Sequence, residues 1–165
     1  MMNGDMNGIT VGLNNTGITK GSTSTYTTTA NSAGLINGKH VTALASGSNV
    51  ATPTLDAATG LAFQPMAANK ATVLVLGQNA AGAIKMCQGQ VVDTEVGVTT
   101  TVGAFKLAPQ FPALPDDFMV FGYLLVRTAP DAAAWTAGTS SWTASGVTAS
   151  AVQACGALPS RPQTA

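Results

Sequence analysis

Charged side chains are scarce in this chain. Only 8% of its 165 residues are Asp, Glu, Lys or Arg, and the formal net charge is zero, whereas ordinary soluble domains carry about 25% charged residues. Such a surface gives little electrostatic attraction to nucleic acid or to an anionic membrane, and it resists association with other proteins poorly. We therefore expect neither nucleic acid nor a membrane as a partner, and we expect a surface that other chains cover.

Groups for acid–base or metal chemistry are also scarce. His40 is the only histidine, and we expect it at the surface after a hairpin turn rather than in a catalytic triad. Asp93 and Glu95 would share one face of a strand and could hold a hard cation, but a solvated loop next to a strand edge is the preferred interpretation. Asp116 and Asp117 are adjacent, so they point to opposite sides of extended backbone. We predict no enzyme activity, no metal site and no cofactor.

The chain has only two cysteines, and its first residues do not resemble an export signal. Cys87 and Cys155 are the only cysteines, and the N-terminus lacks the basic start and apolar run of a signal peptide. Disulfides are uncommon in proteins that stay in a reducing compartment, so two buried thiols are the preferred interpretation, and their pairing stays open. No apolar run approaches the ~18 residues of a membrane span.

Helical signals are weak, whereas hairpin signals are clear. No long segment repeats apolar residues at the helical period. Segments 35–36 and 40–44 are joined by Asn37-Gly38, which tolerates the positive φ angles of a type I′ turn and therefore predicts a β-hairpin. Segment 71–78 is almost continuously apolar, which predicts a buried strand. A turn follows it, and we predict that segment 83–92 is the strand that returns beside it.

The remaining strand signals complete an all-β pattern. Further strand-like segments lie at 23–29, 96–102, 118–128 and 147–155. A crossover at 108–117 contains three prolines, which exclude a helix or a central strand. Short strands at fairly regular spacing predict a single antiparallel β-sandwich or barrel. We place this domain at residues 22–165 and an extended N-terminal arm at residues 1–21.

The predicted arm has features of a partner-binding segment. It is rich in Gly and Asn and alternates Ile9, Val11 and Leu13 with smaller residues. A segment with strand-like alternation but no core of its own is suited to bind another chain. We therefore predict that these three side chains lie at an interface.

Aromatic residues supply the other interface candidates. Phe111, Trp135 and Trp142 are predicted to contact a partner chain, because aromatic side chains are frequent interface anchors. Trp135, Trp142 and Tyr123 could alternatively form an aromatic platform that binds carbohydrate. Both interpretations stay open at the level of the sequence.

Several motifs together resemble one group of proteins. In order along the chain they are LAFQPMAAN at 61–69, LGQNAAG at 76–82 with Gln88-Gly89 after it, APQFPALPD at 108–116, the Trp135/Trp142 pair, and LPSRPQ at 158–163. In this order they resemble tailed-bacteriophage virion proteins, related in style to capsid decoration (cement) proteins and head fibres. The resemblance covers residues 23–163, and none of its motifs names a reaction.

The resemblance implies a particular role and location. It implies a small β-domain that decorates a phage capsid as a homotrimer, with the segment before Gly21 contacting the major capsid protein lattice. The protein would be made in the host cytoplasm and reside in the virion. A tail-fibre or receptor-binding module that recognises carbohydrate is the alternative function.

Overall fold

The computed structural model describes residues 8–163, which form twelve β-strands and no helix. The prediction of an all-β fold is therefore confirmed. In chain order the strands are β1 (Val11–Gly12), β2 (Thr19–Lys20), β3 (Thr25–Thr28), β4 (Gly34–Ile36), β5 (Lys39–His40), β6 (Gly47–Ala51), β7 (Lys70–Gln78), β8 (Ile84–Gln88), β9 (Val92–Asp93), β10 (Met119–Thr128), β11 (Val147–Ala149) and β12 (Gln153–Ala154).

The two longest strands pair at the centre of the largest sheet. β7 and β10 are antiparallel neighbours, with β8 and β9 pairing with the other edge of β7, and β11 and β12 with the other edge of β10. Both central strands are buried along almost their whole length. Because they are apolar on both sides, this sheet needs a cover on each of its faces.

Two small sheets complete the architecture. One has the order β1-β4-β5 and the other the order β2-β3-β6, and all pairs within the sheets are antiparallel. The sheets are arranged like a sandwich and do not close into a barrel. The β4–β5 turn has Asn37 at φ 51° and Gly38 at φ 74°, which confirms the hairpin that Asn-Gly predicted.

The hydrophobic core has two parts, one on each face of the central sheet. Leu74, Leu76 and Leu124 face the first part, where residues of the two small sheets, such as Tyr26 and Ile36, pack against them. The other face carries a second set: Val73, Val75, Cys87, Val120, Tyr123 and Leu125. Loops cover that second face, chiefly the proline-rich crossover and the C-terminal segment. The central sheet therefore packs against the two small sheets on one face and is covered by loops on the other face.

The described part of the predicted N-terminal arm lies on the domain. β1 pairs with β4, and the Gly12 amide donates to the carbonyl of Gly156 at 3.1 Å. Ile18 is buried in the first part of the core. Residues 8–20 are thus extended, as predicted, but they form part of the fold instead of preceding it. Residues 1–7 of the predicted arm lie outside the described residues.

The two cysteines are not paired. Cys87 lies on β8 and is buried, and Cys155 follows β12 and is partly exposed. Strands β7 and β10 lie between them in the sheet, which places the thiols about 14 Å apart at the usual strand spacing. A disulfide needs Cα atoms within about 7 Å, so these residues act as small apolar side chains.

The thiols should differ sharply in reactivity. Burial, followed by the charge of Asp56, raises the pKa of Cys87 to about 12, and burial also raises the pKa of Cys155. Since the thiolate is the reactive form, we expect maleimide at pH 8 to modify Cys155 first and Cys87 only on unfolding. Peptide mass spectrometry of folded and urea-denatured protein measures this, and equal labelling of both cysteines in the folded protein would contradict it.

A buried amide ties the central sheet to the loop between β5 and β6. Gln78 is fully buried, accepts a hydrogen bond from the Ser32 hydroxyl, and donates to the Thr42 carbonyl at 2.9 Å. The Ser32 oxygen in turn accepts from the Leu44 amide at 2.7 Å. A buried polar group of this kind is tolerated only when its partners are present.

Replacing this amide should weaken the fold. We expect Gln78→Leu to lower the free energy of unfolding by about 1–3 kcal/mol, because it leaves buried partners unpaired. Gln88→Leu is the matched control, since the Gln88 amide bonds the Gln64 backbone where water can replace it. Urea unfolding measures both, and an equal loss in the two variants would contradict the role assigned to Gln78.

Candidate interaction surfaces

Large apolar side chains are exposed at three main places. Single exposed apolar residues are normal in folded proteins, so their grouping is the informative feature. The three groups, among residues 8–163, are Ile9 and Leu13 near the N-terminus, Leu55 and Leu61 in the loop after β6, and Val96, Val98 and Leu107 after β9. Val96 and Val98 are the most exposed of them, at 75% and 74%.

The segment Thr94–Phe105 forms a small two-stranded projection, which we call the finger. Its end residues pair with each other, and the Glu95 amide donates to the Ala104 carbonyl at 2.8 Å. At the tip, Val98 and Thr101 exchange two backbone hydrogen bonds of 3.1 and 2.8 Å. The single strand predicted at 96–102 is therefore wrong: the chain reverses between Val98 and Thr101, so this segment is the turn of the finger with part of each of its arms.

The base of the finger is anchored to the central sheet. The Arg127 guanidinium donates to the Gly103 carbonyl at 3.1 Å and lies 5.2 Å from the ring centre of Phe105. The side-chain oxygen of Asn69 accepts from the Gly97 amide at 3.2 Å. These contacts hold the base, whereas Val96 and Val98 have little contact with the domain.

The turn of the finger has a strained residue. Thr99 has φ 50°, a left-handed conformation that costs an L-residue roughly 1–2 kcal/mol and that β-branched residues rarely adopt. Strain of this kind persists where the surrounding structure enforces it, and it is common at functional sites.

Relieving this strain should make the finger more stable. Thr99→Gly is expected to stabilise the finger by up to about 1 kcal/mol, because relief of the strain exceeds the entropy cost of glycine. Thr100→Gly is the control, since Thr100 does not have a positive φ and only the entropy cost applies. Amide hydrogen exchange of Val98 and Thr101 measures local opening; faster exchange in Thr99→Gly than in the wild type would contradict the strain argument.

An open cleft lies at the other end of the central sheet. It has a volume of about 380 Å³, and Leu55, Ile84 and Phe118 contribute to its apolar lining. Asp56, Lys85 and Asp117 are its charged lining residues. We call this site the cleft; Leu55 belongs to both its lining and the second group of exposed apolar residues.

The predicted N-terminal interface residues are partly or largely accessible. Ile9 is 43% exposed and Leu13 is 57% exposed. Val11 is half-buried, because it pairs with Leu35 in the sheet. The structure thus leaves Ile9 and Leu13 free to contact a partner while the backbone between them is held on the domain.

The predicted aromatic interface residues are mainly core residues. Trp135 and Trp142 are 1% and 2% exposed and pack against each other with ring centres 5.5 Å apart. Phe111 is half-buried and packs edge-on against Tyr123 at 4.9 Å. The interface role of the two tryptophans is therefore corrected: their side chains fill the domain interior. Because Tyr123 is buried as well, the three aromatic residues do not form an exposed platform for carbohydrate.

The titratable residues His40, Asp93 and Glu95 lie on β5, on β9 and in the finger, respectively. His40 is exposed on β5. Asp93 pairs with Lys70, whose ammonium lowers the pKa of that carboxyl, and Glu95 is exposed in the finger. Within residues 8–163 no three His, Cys, Asp or Glu side chains are grouped as metal ligands, and no helix there is long and apolar enough to cross a bilayer.

Sequence reasoning missed the most exposed apolar residues. The β-branched run at 96–102 suggested a strand, and strands are normally buried on one face. The available signal was Val96-Gly97-Val98, which places two valines on one side of a strand with glycine between them. The loop residues Leu55 and Leu61 had no periodic signal, because exposure in a loop depends on distant packing.

Comparisons with protein-family models, curated proteins and solved structures found no match. Three surface features of the fold are candidates for contact with a partner: the finger, the cleft and the exposed N-terminal residues.

Proposed function

We propose that this protein is a structural component of a phage particle that decorates the capsid by self-association and by contacts with the capsid lattice. The phage assignment rests on the sequence motifs that resemble virion proteins. Self-association rests on the exposed apolar side chains of a chain with only 8% charged residues. Exposed apolar surface of this kind favours association in any assembly, on a phage particle or elsewhere.

The observation that carries self-association is the exposure of the finger. Val96 and Val98 are 75% and 74% exposed, and burying apolar surface contributes roughly 25 cal/mol per Å². The surrounding residues are mostly Thr and Gly. Covering this surface therefore stabilises an assembly without the cost of removing many charged groups from water.

Ile9 and Leu13 are the proposed contacts with the capsid lattice. Both are exposed, whereas Ile18 in the same segment is buried in the core. Removing residues 1–20 would therefore damage the domain as well as the contact. Substituting the two exposed side chains tests the contact and leaves the buried part of the segment in place.

When three copies are linked, a weak contact from each copy is sufficient for binding to the lattice. When geometry allows several copies to engage together, linkage raises the overall affinity by about 10²–10⁴. Each N-terminal segment can then contribute only a small apolar contact. This is the physical basis for combining self-association with lattice binding in one small domain.

A receptor-binding module of the tail is the second candidate. Its sequence argument depended on exposed Trp135, Trp142 and Tyr123, which are buried. Carbohydrate recognition would therefore need another surface. The two candidates differ in where the protein is found on the particle, and that location can be measured.

The location of the protein on particles tests the proposal. Particles from a lysate of the host that carries this gene are labelled with antibodies against the chain and examined by electron microscopy. We expect label on heads, whereas label at tail tips would favour the receptor-binding candidate. Particles without label, in a lysate that contains the protein, would contradict both.

The Ile9→Asp/Leu13→Asp variant tests the lattice contact. Two added charges at these exposed positions should lower the fraction of protein that co-sediments with undecorated heads by at least tenfold, because charges are costly to bury. The mass by light scattering should not change. Retained head binding at an unchanged mass would contradict the assigned role.

A further inference from the structure

Two of the exposed apolar sites lie at opposite ends of the same strand. The finger follows β9, which pairs with β7 at Lys70, and the cleft lies where Gln78 pairs with Ile84. Eight residue steps of extended chain separate Lys70 from Gln78, which is about 26 Å. The finger extends about 17 Å from base to turn, so it cannot reach the cleft of its own chain.

We propose that the finger of one copy docks in the cleft of the next copy, so that the chains associate head to tail. The proposal rests on the self-association in the proposed function and names the surfaces that carry it. A contact between two different surfaces of the same protein is heterologous, and it repeats around a ring if the rotation between copies closes. Closure after three copies gives a trimer.

The sizes of the two surfaces match. Val96 and Val98 are two residues apart in an extended strand, so both side chains point to one side. A cavity of about 150 Å³ holds one benzene molecule, which has as many carbon atoms as the two valine isopropyl groups together. The cleft, at about 380 Å³, therefore has room for both side chains and part of their backbone.

The apolar parts also match. Leu55 is 54% exposed at the cleft, and Leu61 nearby is 69% exposed. The amide of Asp56 donates to the carbonyl of Leu61 at 2.8 Å, which holds this loop closed on itself beside the cleft. A finger entering the cleft would cover apolar side chains on both copies, and this burial provides the driving force.

The charges of the two surfaces are complementary. Arg127 contacts the finger, Lys106 follows it, and Glu95 lies within it, so positive charge is in excess there. The cleft is lined by Asp56, Asp117 and Lys85, so negative charge is in excess. Opposite excess charge favours the contact of finger with cleft over finger with finger or cleft with cleft, because like charges repel.

Mixing two variants tests this arrangement. The finger variant is Val96→Asp/Val98→Asp, and the cleft variant is Leu55→Asp/Leu61→Asp, which replaces the two exposed apolar side chains of that site. At a concentration where the wild type assembles, each variant alone should be monomeric by light scattering. An equimolar mixture should contain a species of about twice the chain mass of 16.5 kDa, because one intact finger and one intact cleft remain.

Cross-linking gives a second readout that does not depend on affinity. In a Cys155→Ser background, copies carrying Val98→Cys are mixed with copies carrying Leu55→Cys and oxidised with glutathione disulfide. We expect mixed dimers to form at least tenfold faster than dimers of either copy alone. Faster formation of the Val98→Cys homodimer would show a symmetric finger–finger contact and overturn the proposal.

A control variant distinguishes the head-to-tail contact from self-association in general. Ile9→Asp/Leu13→Asp adds the same number of charges elsewhere and should keep the wild-type mass. If the wild type assembles and the finger and cleft variants do too, the head-to-tail contact is wrong while self-association stands. If the wild type is monomeric at every concentration and no mixed cross-link forms, self-association itself is wrong.

Discussion

The pairing of β7 with β10 is the constraint on which the rest of this structure depends. Both strands are apolar on both sides, and a sheet of that kind is stable only when each face is covered. One face is covered by the two small sheets and the other by the crossover and the C-terminal segment. Strands of two to five residues could not be stable alone. The strands of the two small sheets exist here because they cover the central pair, and β8, β9, β11 and β12 exist because they pair with its edges.

Local signals predicted the elements whose partners are close in the sequence. The β4–β5 hairpin depends on Asn37-Gly38, and β7 returns through a short turn into β8. By contrast, β1 pairs across more than twenty residues with Leu35, and β6 pairs with β3 from a segment that reads as a polar loop. β6 leaves no periodic signal in the sequence, and the alternation around Val11 predicted a contact with another chain, because nothing local shows that its partner is β4.

A continuous apolar run also gives no indication of which side chains lie on which face of the sheet. The register of β10 shifts between Val120 and Gly122, so Phe121 is the extra residue of a bulge. Odd-numbered residues face the small sheets before the bulge, and even-numbered residues such as Leu124 face them after it. The same limit applies to Trp135 and Trp142: an aromatic residue between turns suits an interface as well as a core, and only the packing distinguishes the two.

The scarcity of charge and the exposed finger both weaken the resistance of this surface to association with other chains. Proteins with exposed strands commonly prevent association by placing charged residues at their edges. The turn of this finger carries Thr and Val instead, and Val96 and Val98 are exposed beside it. A surface without such protection associates with whatever complementary surface is nearest at high concentration. In the proposed assembly, where a particle would hold many copies side by side, that surface would belong to another copy of the same chain, and a contact between unlike surfaces would propagate in one direction until it closes.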